Sequence, residues 1–225
     1  ANECPCLPAS TIPNLKARSI IVSNFLDRQR CILIGTRIGD ILSYDYTTLT
    51  FIRRTLVCQG SILFMFPHQA SKTLLVLTDY RMYRVSMIDG KVKAEYRQDC
   101  EDVAALFDDL LVIGYANGSY LIERIYDTEG IEIIHKEKNP LHNGRVVGLS
   151  RGSDYFVSAG FDGSVLVWNM DAVILAKLTF PTPIYSVGVH NGLRGLLIGT
   201  DAEIMIVDGK LLFDGIVDEE DIPYD

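Results

Sequence analysis

The sequence predicts an all-β protein assembled from repeated antiparallel units, and three observations carry that prediction. Short apolar runs recur along all 225 residues, among them Ser19-Ile20-Ile21-Val22, Cys31-Ile32-Leu33-Ile34-Gly35, Thr73-Leu74-Leu75-Val76-Leu77, Leu110-Leu111-Val112-Ile113-Gly114 and Gly195-Leu196-Leu197-Ile198-Gly199. Their length and their Val, Ile, Leu, Phe and Tyr content suit strands rather than helices. Turn signals separate them: Asp-Gly at 89–90, 162–163, 208–209 and 214–215, and Asn-Gly at 117–118, 143–144 and 191–192. Asp and Asn tolerate positive φ and Gly adopts it freely, so such pairs close tight hairpins. The runs also repeat at a fixed interval.

Five units can be aligned. Their first strands begin near Ser19, Ser61, Asp102, Arg145 and Pro183, at intervals of 42, 41, 43 and 38 residues. A period of about 40–45 residues with four strands per unit is the signature of β-propeller blades. The second strand of each unit ends in a similar phrase: Ile34-Gly35-Thr36, Leu77-Thr78-Asp79, Ile113-Gly114-Tyr115, Ser158-Ala159-Gly160 and Ile198-Gly199-Thr200. We therefore expect a β-propeller of four-stranded antiparallel blades over residues 18–216, divided at about 18–59, 60–100, 101–143, 144–181 and 182–216. An N-terminal extension (1–17) precedes it and an acidic tail (217–225) follows. Val103, Leu106, Phe107 and Leu110 stand at helical spacing, but Val103, Ala105 and Phe107 alternate as a strand does, and the repeat frame calls for a strand there.

The fourth unit carries a sharper pattern. Leu141-His142-Asn143-Gly144-Arg145-Val146 precedes Val157-Ser158-Ala159-Gly160-Phe161-Asp162-Gly163-Ser164-Val165-Leu166-Val167-Trp168-Asn169. This resembles a WD repeat, with Leu141 replacing the usual Gly before His and Asn169 replacing the Asp after Trp. The other units are degenerate, with Tyr44-Asp45, Ser86-Met87, Glu123-Arg124 and Val207-Asp208 at the Trp-Asp place. The resemblance implies a structural hydrogen-bonded network made by His142, Asp162 and Trp168. Its hydroxyl position two before the Asp is Gly160, which leaves the network incomplete unless Ser158 substitutes. The resemblance also implies that the turn between second and third strands faces partners, which puts Arg37, Asp79, Tyr80, Phe161 and Asp201 on a binding face. Phe161 is the leading candidate, an aromatic beside a fixed Asp-Gly turn; its alternative role is packing on a neighbouring blade.

The chemistry looked for elsewhere is thin. Gly148-Leu149-Ser150-Arg151-Gly152 matches a nucleophile elbow, but that motif needs a strand before it and a helix after it, and a strand follows here; a polar turn is the expectation. Cys4-Pro5-Cys6 has no second pair to complete a four-ligand zinc site. No phosphate-binding Gly-rich loop occurs, and His68, His135, His142 and His190 are scattered. Asp218-Glu219-Glu220-Asp221 is too clustered for an EF-hand and reads as a solvated or docking tail. The sequon Asn117-Gly118-Ser119 reads as a turn. No metal or cofactor is expected.

Charge and cysteine usage bound the setting. With 21 Lys and Arg against 29 Asp and Glu, the net charge is -8, which disfavours nucleic-acid partners. The five cysteines are odd in number and irregularly spaced, and Cys31 and Cys58 lie in apolar runs. This points to a reducing compartment, cytoplasm or nucleus. No apolar run approaches the roughly 20 residues of a membrane span, and no signal peptide is expected at the N-terminus, where the first residue is Ala. The function expected is a non-catalytic protein-interaction scaffold within a multiprotein complex. The alternative is an enzymatic or ligand-binding propeller using its central channel, but Ser19–Val22, Val103–Leu106 and Val146–Leu149 are too apolar to line an evident site. We expect the chain not to close a propeller alone and to take further blades from the same protein or another subunit; a self-contained five-bladed ring is the alternative.

Overall fold

The structure, a computed structural model, describes residues 17–100, 103–127, 130–136, 140–190 and 195–208. All regular structure there is strand. Five antiparallel meanders follow one another along the chain. The first holds β1 (Ala17–Phe25), β2 (Arg28–Thr36), β3 (Asp40–Asp45) and β4 (Phe51–Leu56). The second holds β5 (Phe64–His68), β6 (Thr73–Leu77), β7 (Arg81–Ser86) and β8 (Val92–Arg97). The third holds β9 (Val103–Phe107), β10 (Leu110–Gly114), β11 (Tyr120–Ile125) and β12 (Ile131–Lys136). The fourth holds β13 (Val146–Arg151), β14 (Tyr155–Gly160), β15 (Ser164–Asn169) and β16 (Ile174–Thr179). The fifth holds β17 (Ser186–His190), β18 (Gly195–Gly199) and β19 (Ile204–Asp208). The repeat frame, the strand over 103–107 and the four-strand unit are as the sequence predicts. Ala17 already belongs to β1. The part of the fifth unit from 209 to 216, where the four-strand frame calls for its last strand, and the acidic tail lie outside the described residues, as do Cys4 and Cys6.

The residue pattern explains each strand's place. The second strands β6, β10 and β14 are buried along their whole length, as their unbroken apolar and small residues require. The fourth strands β8 and β16 alternate, with Lys91, Lys93 and Glu95, or Lys177, in or beside them, and so blunt the sheet edges with charge.

The chain divides into two compact units, one holding the first two sheets and the other the remaining three. In the first unit, Leu33, Ile41, Ile62, Met65, Leu74 and Val85 form a core between the two sheets. In the second unit, one core joins the third and fourth sheets around Val112, Ile122, Phe156 and Trp168, and another joins the fourth and fifth around Val157, Val167, Ile184 and Ile198.

The glycine that closes several second strands has a packing reason. A Cβ on Gly35 would come within 2.7 Å of Ile62 Cγ2, and one on Gly114 within 2.7 Å of Val146 Cβ. The apolar residue entering the next sheet sits where that side chain would be, so only glycine admits it. The turn signals divide. Gly90, Gly118 and Gly163 take φ of 73°, 84° and 80° in hairpins, as expected. Asn143-Gly144 closes no hairpin; it lies in the link between the third and fourth sheets.

Candidate partner-binding turns and the network behind them

In the fourth sheet, the turn between β14 and β15 is tied to the link from the third sheet. Asp162 Oδ2 accepts the Asn143 N–H at 2.6 Å, while Oδ1 accepts the Ser164 N–H at 3.0 Å and the Ser164 hydroxyl at 2.7 Å. The Ser164 N–H bond is the ordinary Asx arrangement of an Asp-Gly turn, and the Asn143 N–H bond is the long-range tie. His142, buried, places Nδ1 2.6 Å from Ser164 Oγ and 3.3 Å from Asp162 Oδ1. Its Nε2 lies 3.4 Å from Ser158 Oγ, which accepts the Trp168 Nε1–H at 2.9 Å.

The donors order themselves. Trp168 can only donate, so the Ser158 hydroxyl is free to donate to Nε2, leaving Nδ1–H to donate towards Ser164 and Asp162. Burial holds the His142 imidazole below its usual value against the pull of Asp162, which keeps it neutral in this relay. Burial pushes the Asp162 carboxyl upward, but the Asn143 and Ser164 donors outweigh it and hold it below the usual range. Trp168, fully buried, stacks on Phe156 at 5.6 Å and meets Tyr120 edge-on at 5.4 Å.

The hydroxyl comes from Ser158, four residues before the Asp, and not from position 160. A Cβ at Gly160 would lie 2.4 Å from both Asp162 Oδ1 and His142 Nδ1, so that position must be glycine for the His–Asp contact to exist. Ser164 also enters the network, and the sequence did not single it out. Its signal is the Asp-Gly-Ser order, which puts a second donor two residues after the carboxylate.

The five turn residues expected at a binding face all lie between second and third strands, and all are exposed. In the first unit, Arg37 follows β2, and Asp79 and Tyr80 join β6 to β7. Tyr80 is 72% exposed. The backbone of this turn is held, since Asp79 and Tyr80 carbonyls accept the Cys100 and Gln98 N–H groups. In the second unit, Phe161 joins β14 to β15, and Asp201 joins β18 to β19.

Phe161 does not stand alone. It is 38% exposed and meets Tyr185, 49% exposed, edge-to-face at 5.5 Å. The Arg145 guanidinium lies over the Phe161 ring, 5.5 Å from its centroid. The Phe161 N–H donates to the Arg145 carbonyl, and the Tyr185 N–H to the Gly199 carbonyl. Arg145 and Tyr185 were not legible as site residues, because each comes from a different link between sheets. Phe161 thus packs on the segment entering the fifth sheet while keeping part of its ring in solvent.

The Gly148–Gly152 motif is no polar turn. Gly148 to Arg151 lie within β13, Ser150 Oγ accepts the Val189 N–H at 2.9 Å, and no helix follows. Asn117-Gly118-Ser119 forms a turn in which Asn117 Oδ1 accepts the Ser119 N–H and hydroxyl. Cys31, Cys58 and Cys100 are buried and not disulfide-bonded. Among the described residues no group of three or more His, Cys, Asp or Glu could hold a metal ion, and no helix is long and apolar enough to cross a membrane.

No protein-family model matches the sequence, and no curated protein matches it. Among solved structures, the chain is similar to one described as "Structure of Dos1 propeller", at 15% identity and a TM-score of 0.67, over 86% of this chain and 54% of that one. It is also similar to a chain of "Crystal Structure of Mitotic Checkpoint Complex", at 14% identity and a TM-score of 0.68, over 87% of this chain and 62% of that one. With the five meander sheets, this likeness defines the class: the protein has the β-propeller fold. The chain spans between half and two thirds of the length of these two structures.

Proposed function

We propose that this chain is a non-catalytic interaction scaffold of WD-repeat type that works in the cytoplasm or nucleus as a subunit or domain of a multiprotein complex. The observation that carries this reading is the cluster of Phe161, Tyr185 and Arg145, solvent-exposed on a turn that a buried network fixes. Aromatic and Arg side chains on a rigid support lose little freedom on binding and dominate interface energetics. The WD-repeat assignment rests on the joining of His142, in the link before the fourth sheet, with Ser158, Asp162 and Trp168 of that sheet and its turn.

Two apolar sheet faces support a place in a larger assembly. In the first sheet, Ile20 and Val22 are largely exposed, and cross-strand register aligns them with Ile34 and Ile32. In the fifth, Ile204 and Ile206 are 76% and 65% exposed, with Ile206 paired to Leu197. Contiguous apolar surface of this kind marks contact with protein, here further blades of the same protein or of a second subunit. The test is capture from native extract on the purified chain, alongside thermal melts with a small-molecule panel. Recovery of a defined set of proteins with no ligand-induced rise in Tm supports the scaffold. A small molecule that raises Tm with no protein retained overturns it.

A further inference from the structure

We propose that Arg145, Phe161 and Tyr185 form a docking site for a short acidic segment of a partner protein, with one carboxylate on the Arg145 guanidinium and a neighbouring apolar side chain against the two rings. The inference rests on the scaffold reading and names the partner chemistry of that same site. Its first support is pre-organisation. Three segments converge: the link 140–145, the turn 161–163 and the link 180–185. The Phe161 N–H donates to the Arg145 carbonyl, and the Phe180 N–H to the Gly163 carbonyl. A Cβ at Gly163 would lie 2.6 Å from the Phe180 carbonyl oxygen and 2.8 Å from that of Thr182, so turn and link are in close contact. The geometry precedes the ligand, which lowers the cost of binding.

The second support is an uncompensated cation. Arg54, Arg81, Arg124 and Arg151 each have a carboxylate partner: Asp40, Glu95, Asp109 with Asp171, and Asp108. Arg145 is exposed and, like Arg37, Arg53 and Arg97, makes no ion pair among the described residues; what sets it apart is its place over Phe161, whose ring meets Tyr185. The carboxylate nearest in sequence to Phe161, Asp162, is committed, since both its oxygens accept donors from Asn143 and Ser164. The Arg145 guanidinium lies over the Phe161 ring, and a guanidinium set against an aromatic face can still offer its N–H edge to a bidentate carboxylate. The net charge of -8 works against anionic partners in general, and against a densely charged polyphosphate backbone more than against a short peptide with one or two carboxylates, so the acid is read locally at Arg145.

Fluorescence anisotropy with labelled short peptides tests this. Peptides carrying Glu or Asp beside Leu, Phe or Pro are compared with the same peptides bearing Lys for the acid, and with a single-stranded oligonucleotide. Expected are binding of the acidic peptides over their Lys counterparts, and at least a tenfold loss of affinity in both Arg145→Glu and Phe161→Ala at unchanged Tm. If Arg145→Glu lowers Tm, the neutral Arg145→Gln decides, with the same loss expected. No preference for acidic over Lys peptides, unchanged affinity in the Arg145 variants, or tighter binding of the oligonucleotide overturns the proposal. Protein capture that persists with Arg145→Glu leaves the scaffold reading standing while this one fails.

Discussion

Gly160 shows how much a single position carries. It looks like a gap in a hydrogen-bonded pattern, yet its missing side chain is what lets His142 and Asp162 meet. Gly160→Ala should therefore destabilise the fold by about 1–3 kcal/mol through overpacking, read from urea unfolding. Ser158→Ala should cost about 1–3 kcal/mol by leaving the Trp168 N–H and a His142 nitrogen unpartnered in the core. The network also sets a pH response. His142 has a folded pKa below its ordinary 6.5, so the unfolded chain binds the extra proton first. Its contribution is fully present above about pH 6.5 and is lost as pH falls towards the lower folded value. Asp162, also depressed, adds a further loss as pH falls below 3.8. Burial raises Glu123 to about 7, so its contribution grows as pH falls from 7 towards 4.5 and opposes this loss. The His142 share is read instead as the Tm difference between wild type and His142→Gln, which should narrow as pH falls below about 6.5. His142, Asp162 and Trp168 were legible because they sit at motif spacings. Ser158 and Ser164 were not, because a hydroxyl accepts or donates wherever the strand brings it, and spacing alone does not say where.

At the scale of strands, periodicity made the architecture legible. A run such as Leu110-Leu111-Val112-Ile113-Gly114, short and set in the repeat frame, reads as a strand covered on both faces, and β10 is buried throughout. The turns were less legible. Asn143-Gly144 has hairpin composition but serves as a link, since Asn143 donates to Asp162 instead. Conversely, the β1–β2 turn puts Leu26 and Asp27 at φ of 55° and 56° with no glycine, a strain imposed by hairpin closure and invisible to local preference. The third strands offer an internal comparison. β3, β7, β11 and β15 are buried almost throughout, whereas β19 is exposed at alternate residues. Amide exchange should follow this order within the second unit: β11 and β15 slowest, β19 fastest. Protection of β19 equal to that of β15 in the isolated chain would contradict this account of its uncovered face.

For the whole molecule, the fold is shared with solved propellers at about one residue in seven identical. What persists is the fold, which many sequences satisfy. Function does not follow from that repeat, and the candidate site was only partly legible: Phe161 stood out beside its turn, but Arg145 and Tyr185 join it through the folding of separate links. If the apolar faces await partners, replacing Ile204 and Ile206 with Lys should reduce binding of an apolar dye by the isolated chain. The central claim, a scaffold acting through a fixed aromatic turn, is tested most directly by quantitative capture from native extract with the wild type and Phe161→Ala at equal Tm. The account predicts that the wild type retains a defined set of proteins and that Phe161→Ala weakens that retention by about 1–3 kcal/mol. Identical retention by the two chains, or none by either, would contradict it.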